Sequence, residues 1–289
     1  MIDTLKRDGL VFCSMDEVVD RIKAGHTDER YTAITLDDGY KDNLYAGAPI
    51  FEAHDVPYTI YVSPGLTEGT AHLWWENLAS VLEQQERITF ATSTGLGALD
   101  CRTHAEKRAA YTKLMAYLCN EVDEKTQRRF VDDLCRAYGL DPKEYVLNTI
   151  MSWDELRRIN QSPLCTLGAH TINHYHLARL DEDDARFEME QSAKVIEIEI
   201  GEKPAHLAYP YGAPIAAGPR EARLAKEIGF KSAVTTRHGT LHHKHHADAL
   251  HALPRISVNG NFQRMPYMRS LLNGIAVPFA NGGKRVVTM

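Results

Sequence analysis

Tyr31-Thr32-Ala33-Ile34-Thr35-Leu36-Asp37-Asp38-Gly39-Tyr40 is the stretch from which the rest of this chain is read. Residues 31–36 form a short apolar, β-branched run, the pattern of a buried strand. The run stops in two adjacent carboxylates, Asp37 and Asp38, followed by Gly39. Successive side chains on a strand point to opposite faces, so two neighbouring acids at its end suit two different tasks. Asp-Gly also punctuates ordinary turns. Taken alone, the stretch leaves both readings open, and histidines elsewhere that could share a metal with one acid would decide between them.

Outward from this stretch the chain alternates strands and helices. Upstream, residues 14–24 read as a helix opened by the capping pair Ser14 and Glu17 and stopped at Gly25. Downstream, residues 46–54 read as a helix and 56–62 as a second strand, which completes a βαβ unit and implies parallel pairing. Residues 74–140 break the rhythm with charged helical patterns over 103–122 and 125–138. They read as a helical insertion with too few apolar residues for a core of its own. Trp74-Trp75-Glu76 opens that insertion; Trp75 is a candidate sugar-stacking wall, although tryptophans at a helix start more often pack the helix down. The alternation resumes with a capped helix at 152–159, strands at 165–168, 205–208, 231–235 and 253–258, and helices at 181–200 and 221–228. Residues 259–289 read as a C-terminal extension. The pattern points to one α/β domain over 1–289, a parallel barrel or sheet with helices outside. In such folds the chemistry sits at the C-terminal ends of strands.

Three clusters fall at such ends: Asp37-Asp38, His170-Thr171-Ile172-Asn173-His174, and Tyr209-Pro210-Tyr211-Gly212. His170 and His174 are four apart, which on the first turn of a helix aims both imidazoles one way. Two imidazoles and a carboxylate make a three-ligand set for a divalent ion with an open position. Asp38 is then the carboxylate ligand, and Asp37 is free to act as base on a water whose pKa the ion lowers. Pro210 stiffens the third turn, and the Tyr211 N–H can serve as an oxyanion donor, although a purely structural turn is the commoner role. The run His242-His243-Lys244-His245-His246 reads as a solvated loop. His251, just before the last strand, is a candidate to face the site, and His176 a candidate to orient its loop.

Composition is that of an ordinary globular protein: 289 residues, 44% hydrophobic and 25% charged. A net charge of -6 carries no footprint for nucleic acid. No run approaches a membrane span, and residues 1–8 carry no apolar h-region. Five cysteines without C-x-x-C spacing read as reduced thiols, which suits a cytoplasmic protein.

The motifs Thr35-Leu36-Asp37-Asp38-Gly39, His170-Thr171-Ile172-Asn173-His174, Ala208-Tyr209-Pro210-Tyr211-Gly212 and Leu253-Pro254-Arg255-Ile256 resemble, in order and separation, those of the polysaccharide deacetylases. That family includes the rhizobial chitooligosaccharide deacetylases, the branch this chain most resembles. The resemblance runs from residue 35 to 258. It implies a distorted (β/α) barrel of about seven parallel strands, with zinc or another divalent ion held by Asp38, His170 and His174. It further implies Asp37 as general base, the Tyr211 backbone at the oxyanion, and hydrolysis of an N-acetyl or O-acetyl group on a carbohydrate. Pro210, Tyr211 and Trp75 would meet that substrate.

Two departures stand out. Family members often carry, where Ala208 stands, an Arg that steadies the base, so that role reads as vacant here. The late L-x-H motif that supplies the protonating His is also missing. In the related branch an early strand ahead of the first helix supplies it, and this chain reads as starting past that strand. Either the start is truncated, His251 substitutes as the acid, or the chain is weakly active. A missing strand would leave a barrel edge that a second copy of the chain can cover. Two rival functions remain: a metal-independent amidase of the same fold acting on a small cyclic amide, and a glycan-binding homologue with impaired catalysis.

Overall fold

The computed structural model describes residues 1–26, 28–92, 95–258 and 263–289. Its strands are β1 (Leu10–Phe12), β2 (Arg30–Thr32), β3 (Ile34–Leu36), β4 (Tyr58–Val62), β5 (Arg87–Thr92), β6 (Gly95–Asp100), β7 (Cys165–Ala169), β8 (His206–Ala208), β9 (Ser232–His238) and β10 (Leu253–Arg255). The chain divides into two units, one built from residues 1–64 and 151–289, the other from 65–150.

In the first unit, six strands form a curled parallel sheet in the order β10-β9-β8-β7-β4-β3, a half-barrel of the expected class. β1 pairs with β2 in parallel, and β2 leads into β3 across Ala33. A strand therefore does precede the helix Met15–Ala24, although three residues after Gly9 are too short a run to show a periodicity. β4 is buried at all five positions, as a central parallel strand must be. One face of the sheet, through Ile60, Leu167, Leu207 and Ala233, packs against the helices Trp153–Ile159, Glu182–Ile200 and Pro219–Ile228. The other, through Tyr61, Ala208 and Val234, packs against the helix Met15–Ala24. The predicted capping boxes are present at Ser14–Glu17 and Ser152–Glu155.

The second unit holds a correction. Residues 65–150 do carry a core of their own, with Trp74, Leu78, Val81, Leu114, Leu118 and Val131 all buried. It joins the helices Trp74–Gln84, His104–Asn120 and Glu124–Ala137 to the antiparallel pair β5-β6. Ala110, Leu114 and Leu118 recur every fourth residue, so a narrow apolar stripe suffices where average composition looks too polar. Trp74 is fully buried in this core. Trp75 is half-buried, its ring perpendicular to that of Trp74 at 6.0 Å.

The expected C-terminal extension begins at 259–262, outside the described residues; from 263 it continues through the helices Met265–Leu272 and Val277–Ala280. Among the described residues, no helix is long and apolar enough to cross a membrane.

Candidate metal centre and active site

The C-terminal ends of β3, β7 and β8 bring the three predicted clusters together. β3 ends at Leu36, and the chain turns through Asp38 and Gly39, both left-handed at φ 68° and 73°. β7 ends at Ala169, and His170 follows directly, its backbone N–H donating to Val62 at 2.8 Å. The His170–His174 segment is not the helical turn expected from the spacing. It is an irregular loop, left-handed at Thr171 (φ 61°) and again at His174 (φ 53°). Of the five non-glycine residues with positive φ among those described, Asp38, Thr171, His174 and Tyr211 lie in these motifs. Strained backbone concentrated at one place marks a functional site.

The bent loop does bring the imidazoles together. His170 Nε2 lies 3.4 Å and His174 Nε2 3.2 Å from Asp38 Oδ1, and the two rings are perched edge to face at 5.0 Å. Donor atoms about 2.0–2.1 Å from a tetrahedral zinc stand about 3.3 Å apart. Asp38 Oδ1 is also buried with no aligned hydrogen-bond donor. A carboxylate oxygen in that condition, between two imidazole nitrogens at ligand-to-ligand spacing, fits a divalent ion. This is the one His/Cys/Asp/Glu cluster with metal-ligand spacing among the described residues. His170 Nδ1 donates to the Ala208 carbonyl at 2.7 Å, which fixes the tautomer and leaves Nε2 as the ligand atom. Burial pushes the Asp38 carboxyl up, but the neighbouring His174 and His170 outweigh it and hold Asp38 well below the usual carboxylate range. Burial likewise pushes His170 down, and the two acids outweigh it and raise it.

Asp37 points elsewhere, as alternation requires. Both its oxygens accept from Arg255, Nη1 to Oδ1 and Nη2 to Oδ2, each at 2.7 Å. Burial raises the Asp37 carboxyl, yet the Arg255 charge and hydrogen bonds win and keep it lowered, so the group stays an anion. Arg255 is itself braced, donating from Nε to the Thr235 carbonyl at 2.9 Å and from Nη1 to Thr35 Oγ1 at 3.2 Å.

At the end of β8, Tyr211 and Gly212 are both left-handed, at φ 62° and 57°. A Cβ on Gly212 would run into the Thr236 backbone, so only glycine fits there. Thr236 Oγ1 donates to the Tyr211 carbonyl at 2.5 Å, and Gly212 N–H donates to Pro210 at 2.7 Å. The Tyr211 ring lies 5.1 Å from that of His174 and 5.7 Å from that of His176.

The polysaccharide deacetylase family model matches residues 24–233, a span containing all three clusters. The chain belongs to the polysaccharide deacetylase family. Family membership makes it a hydrolase that deacetylates carbohydrate. The fold is similar to solved deacetylases of low sequence identity. A Streptococcus pyogenes deacetylase, PplD, solved with acetate, is 17% identical at a TM-score of 0.58, over 93% of this chain and 83% of its own. IcaB from Ammonifex degensii is 16% identical at 0.56, over 94% and 85%. The deacetylase domain of BpsB from Bordetella bronchiseptica is 15% identical at 0.52, over 88% and 81%. No curated relative matches the sequence.

Within this deacetylase two sequence readings need correction. His251 does not face the cluster. It precedes β10, at the opposite end of that strand from Arg255, and its Nε2 pairs with the Phe230 carbonyl at 2.7 Å just ahead of β9. Nor is the role of an Arg beside the base vacant, because Arg255 fills it from another strand. The only sequence signal for that was its place in Leu253-Pro254-Arg255-Ile256. The His-rich run is not simply solvated either. His246 is fully buried, with Nε2 3.0 Å from the Val287 carbonyl and Nδ1 3.0 Å from the His242 carbonyl. A further residue, Glu188, carried no sequence signal: it sits on an amphipathic helix and reaches back to the ligand loop.

Proposed function

We propose that this deacetylase is metal-dependent and removes N-acetyl groups from an oligosaccharide or polysaccharide. The observation that carries the reading is the convergence of Asp38, His170 and His174 beside an Asp37 kept anionic by Arg255. Asp38, His170 and His174 hold the ion, zinc being the best match to a two-imidazole, one-carboxylate set. When bound, it supplies Lewis-acid polarisation and lowers the pKa of water. Asp37 accepts the proton of the attacking water at a carboxylate oxygen that the Arg255 fork holds in place. The Tyr211 N–H donates to the oxyanion that develops as the acetyl carbon becomes tetrahedral. Pro210 and Tyr211 border the acetyl group. The five free thiols suit action in the reducing cytoplasm.

The test is acetate release from N-acetylated oligosaccharides, with bound metal measured in parallel. Asp38→Ala and His174→Ala lose both the metal and the activity. Asp37→Asn keeps the metal and loses rate by about a hundredfold or more. Full activity in Asp38→Ala, or in protein stripped by chelator, sinks the metal reading and revives the metal-independent amidase. A second reading, glycan binding with impaired catalysis, draws on the placement of His251 away from the cluster. Binding of the oligosaccharide with no acetate released at any pH would establish it instead.

A further inference from the structure

The loop carrying both imidazoles is left-handed at two non-glycine positions, and such backbone persists only where neighbours over-determine it. Much of that holding comes from one acid outside the ligand set. Glu188 is buried in the helix Glu182–Ile200. Its Oε2 accepts from the Asn173 backbone N–H at 2.8 Å and its Oε1 from Asn173 Nδ2 at 2.7 Å. Its backbone carbonyl accepts from the Ile172 N–H at 3.1 Å. From the other side, Ser63 Oγ donates to the Ile172 carbonyl at 2.8 Å. A buried carboxylate persists only when it is well hydrogen-bonded. Here both of its oxygens engage the residue immediately before His174.

We propose that Glu188 is a positioning residue for the metal centre, holding the loop so that His174 Nε2 meets Asp38 and His170 before any ion arrives. The inference rests on the metal-site reading above. Without the Glu188 acceptors, residues 171–174 relax toward ordinary backbone angles and the His174 nitrogen leaves the set, so the ion loses a preformed ligand. Groups that orient ligands in this way typically change metal affinity by about tenfold to a hundredfold.

The test titrates zinc and cobalt(II) into the full chain by calorimetry, with the visible spectrum of the cobalt(II) form as a geometric readout. Glu188→Leu fills the same buried volume without acceptors. It is expected to bind the ion about ten to a hundred times more weakly and to lose the intense tetrahedral cobalt bands. Glu188→Gln is expected to recover most of the affinity, because its carbonyl can take the Asn173 N–H while the Asn173 amide turns over to meet its NH2. Wild-type affinity and spectrum in Glu188→Leu overturn the proposal. Should Glu188→Leu not fold, Asn173→Ala decides: a several-fold weaker site supports the proposal, and an unchanged one overturns it. Absence of ion binding by the wild-type chain would instead overturn the metal-site reading itself.

Discussion

Asp37 and Asp38 are adjacent, yet they face different partners, and that division was legible from strand alternation alone. The partner of Asp37 was not legible. Arg255 stands 218 residues away in the chain, and no local pattern says which of many arginines will arrive. A guanidinium presents a rigid fork that a lysine cannot copy. Arg255→Lys is therefore expected to keep bound metal unchanged and to lower the deacetylation rate about tenfold to a hundredfold, read from initial rates beside metal titration. Arg255→Ala removes one side of a pair in which both side chains are largely covered, 16% and 28% exposed. Breaking such a pair costs about 3–5 kcal/mol, measurable by urea denaturation.

Strand β7, which runs into His170, lies close against β4, and that closeness depends on Gly168. A Cβ at this position would fall inside the Tyr61 ring and press on the His206 carbonyl. Gly168→Ala is expected to destabilise the chain by about 1–3 kcal/mol, seen as a lower denaturation midpoint, because an overpacked core must shift backbone or rotamers. His170, two residues on, would shift with it, so metal affinity should fall in the same variant. The strands themselves were readable because buried parallel strands are continuous β-branched runs. A four-residue spacing satisfies a helix and a tight bend equally well, so the spacing of His170 and His174 does not reveal the bend. The bend won through bonds to Glu188 and Ser63, which come from two other elements.

For the first unit as a whole, one buried histidine sets a stability limit in acid. His206 lies on β8 with no exposed side chain, its Nδ1 2.9 Å from Ser232 Oγ and its Nε2 3.5 Å from Asp16. Burial is the largest influence and, against the pull of Asp16, depresses its pKa from 6.5 to about 4. The folded protein thus binds this proton less readily than the unfolded chain. The contribution is full above about pH 6.5 and is lost as pH falls toward 4. At about 1.4 kcal/mol per unit, the loss comes to about 3 kcal/mol. Urea denaturation at pH 7 and pH 4 is expected to show that difference in wild type and a smaller one in His206→Gln. An equal pH dependence in the two proteins would assign the effect to other groups.

By itself the sequence determined the strand-and-helix alternation, the strand-end placement of Asp38, His170 and Tyr211, and the separation of the two acids. These follow from local periodicity and from motifs a few residues long, which are written in consecutive positions. Only the tertiary structure decided that Arg255 braces Asp37, that His251 turns away, that residues 65–150 hold their own core, and that the imidazole loop is bent. Each depends on which distant side chains packing brings within reach. A hydrogen bond across the fold leaves no period in the chain that makes it.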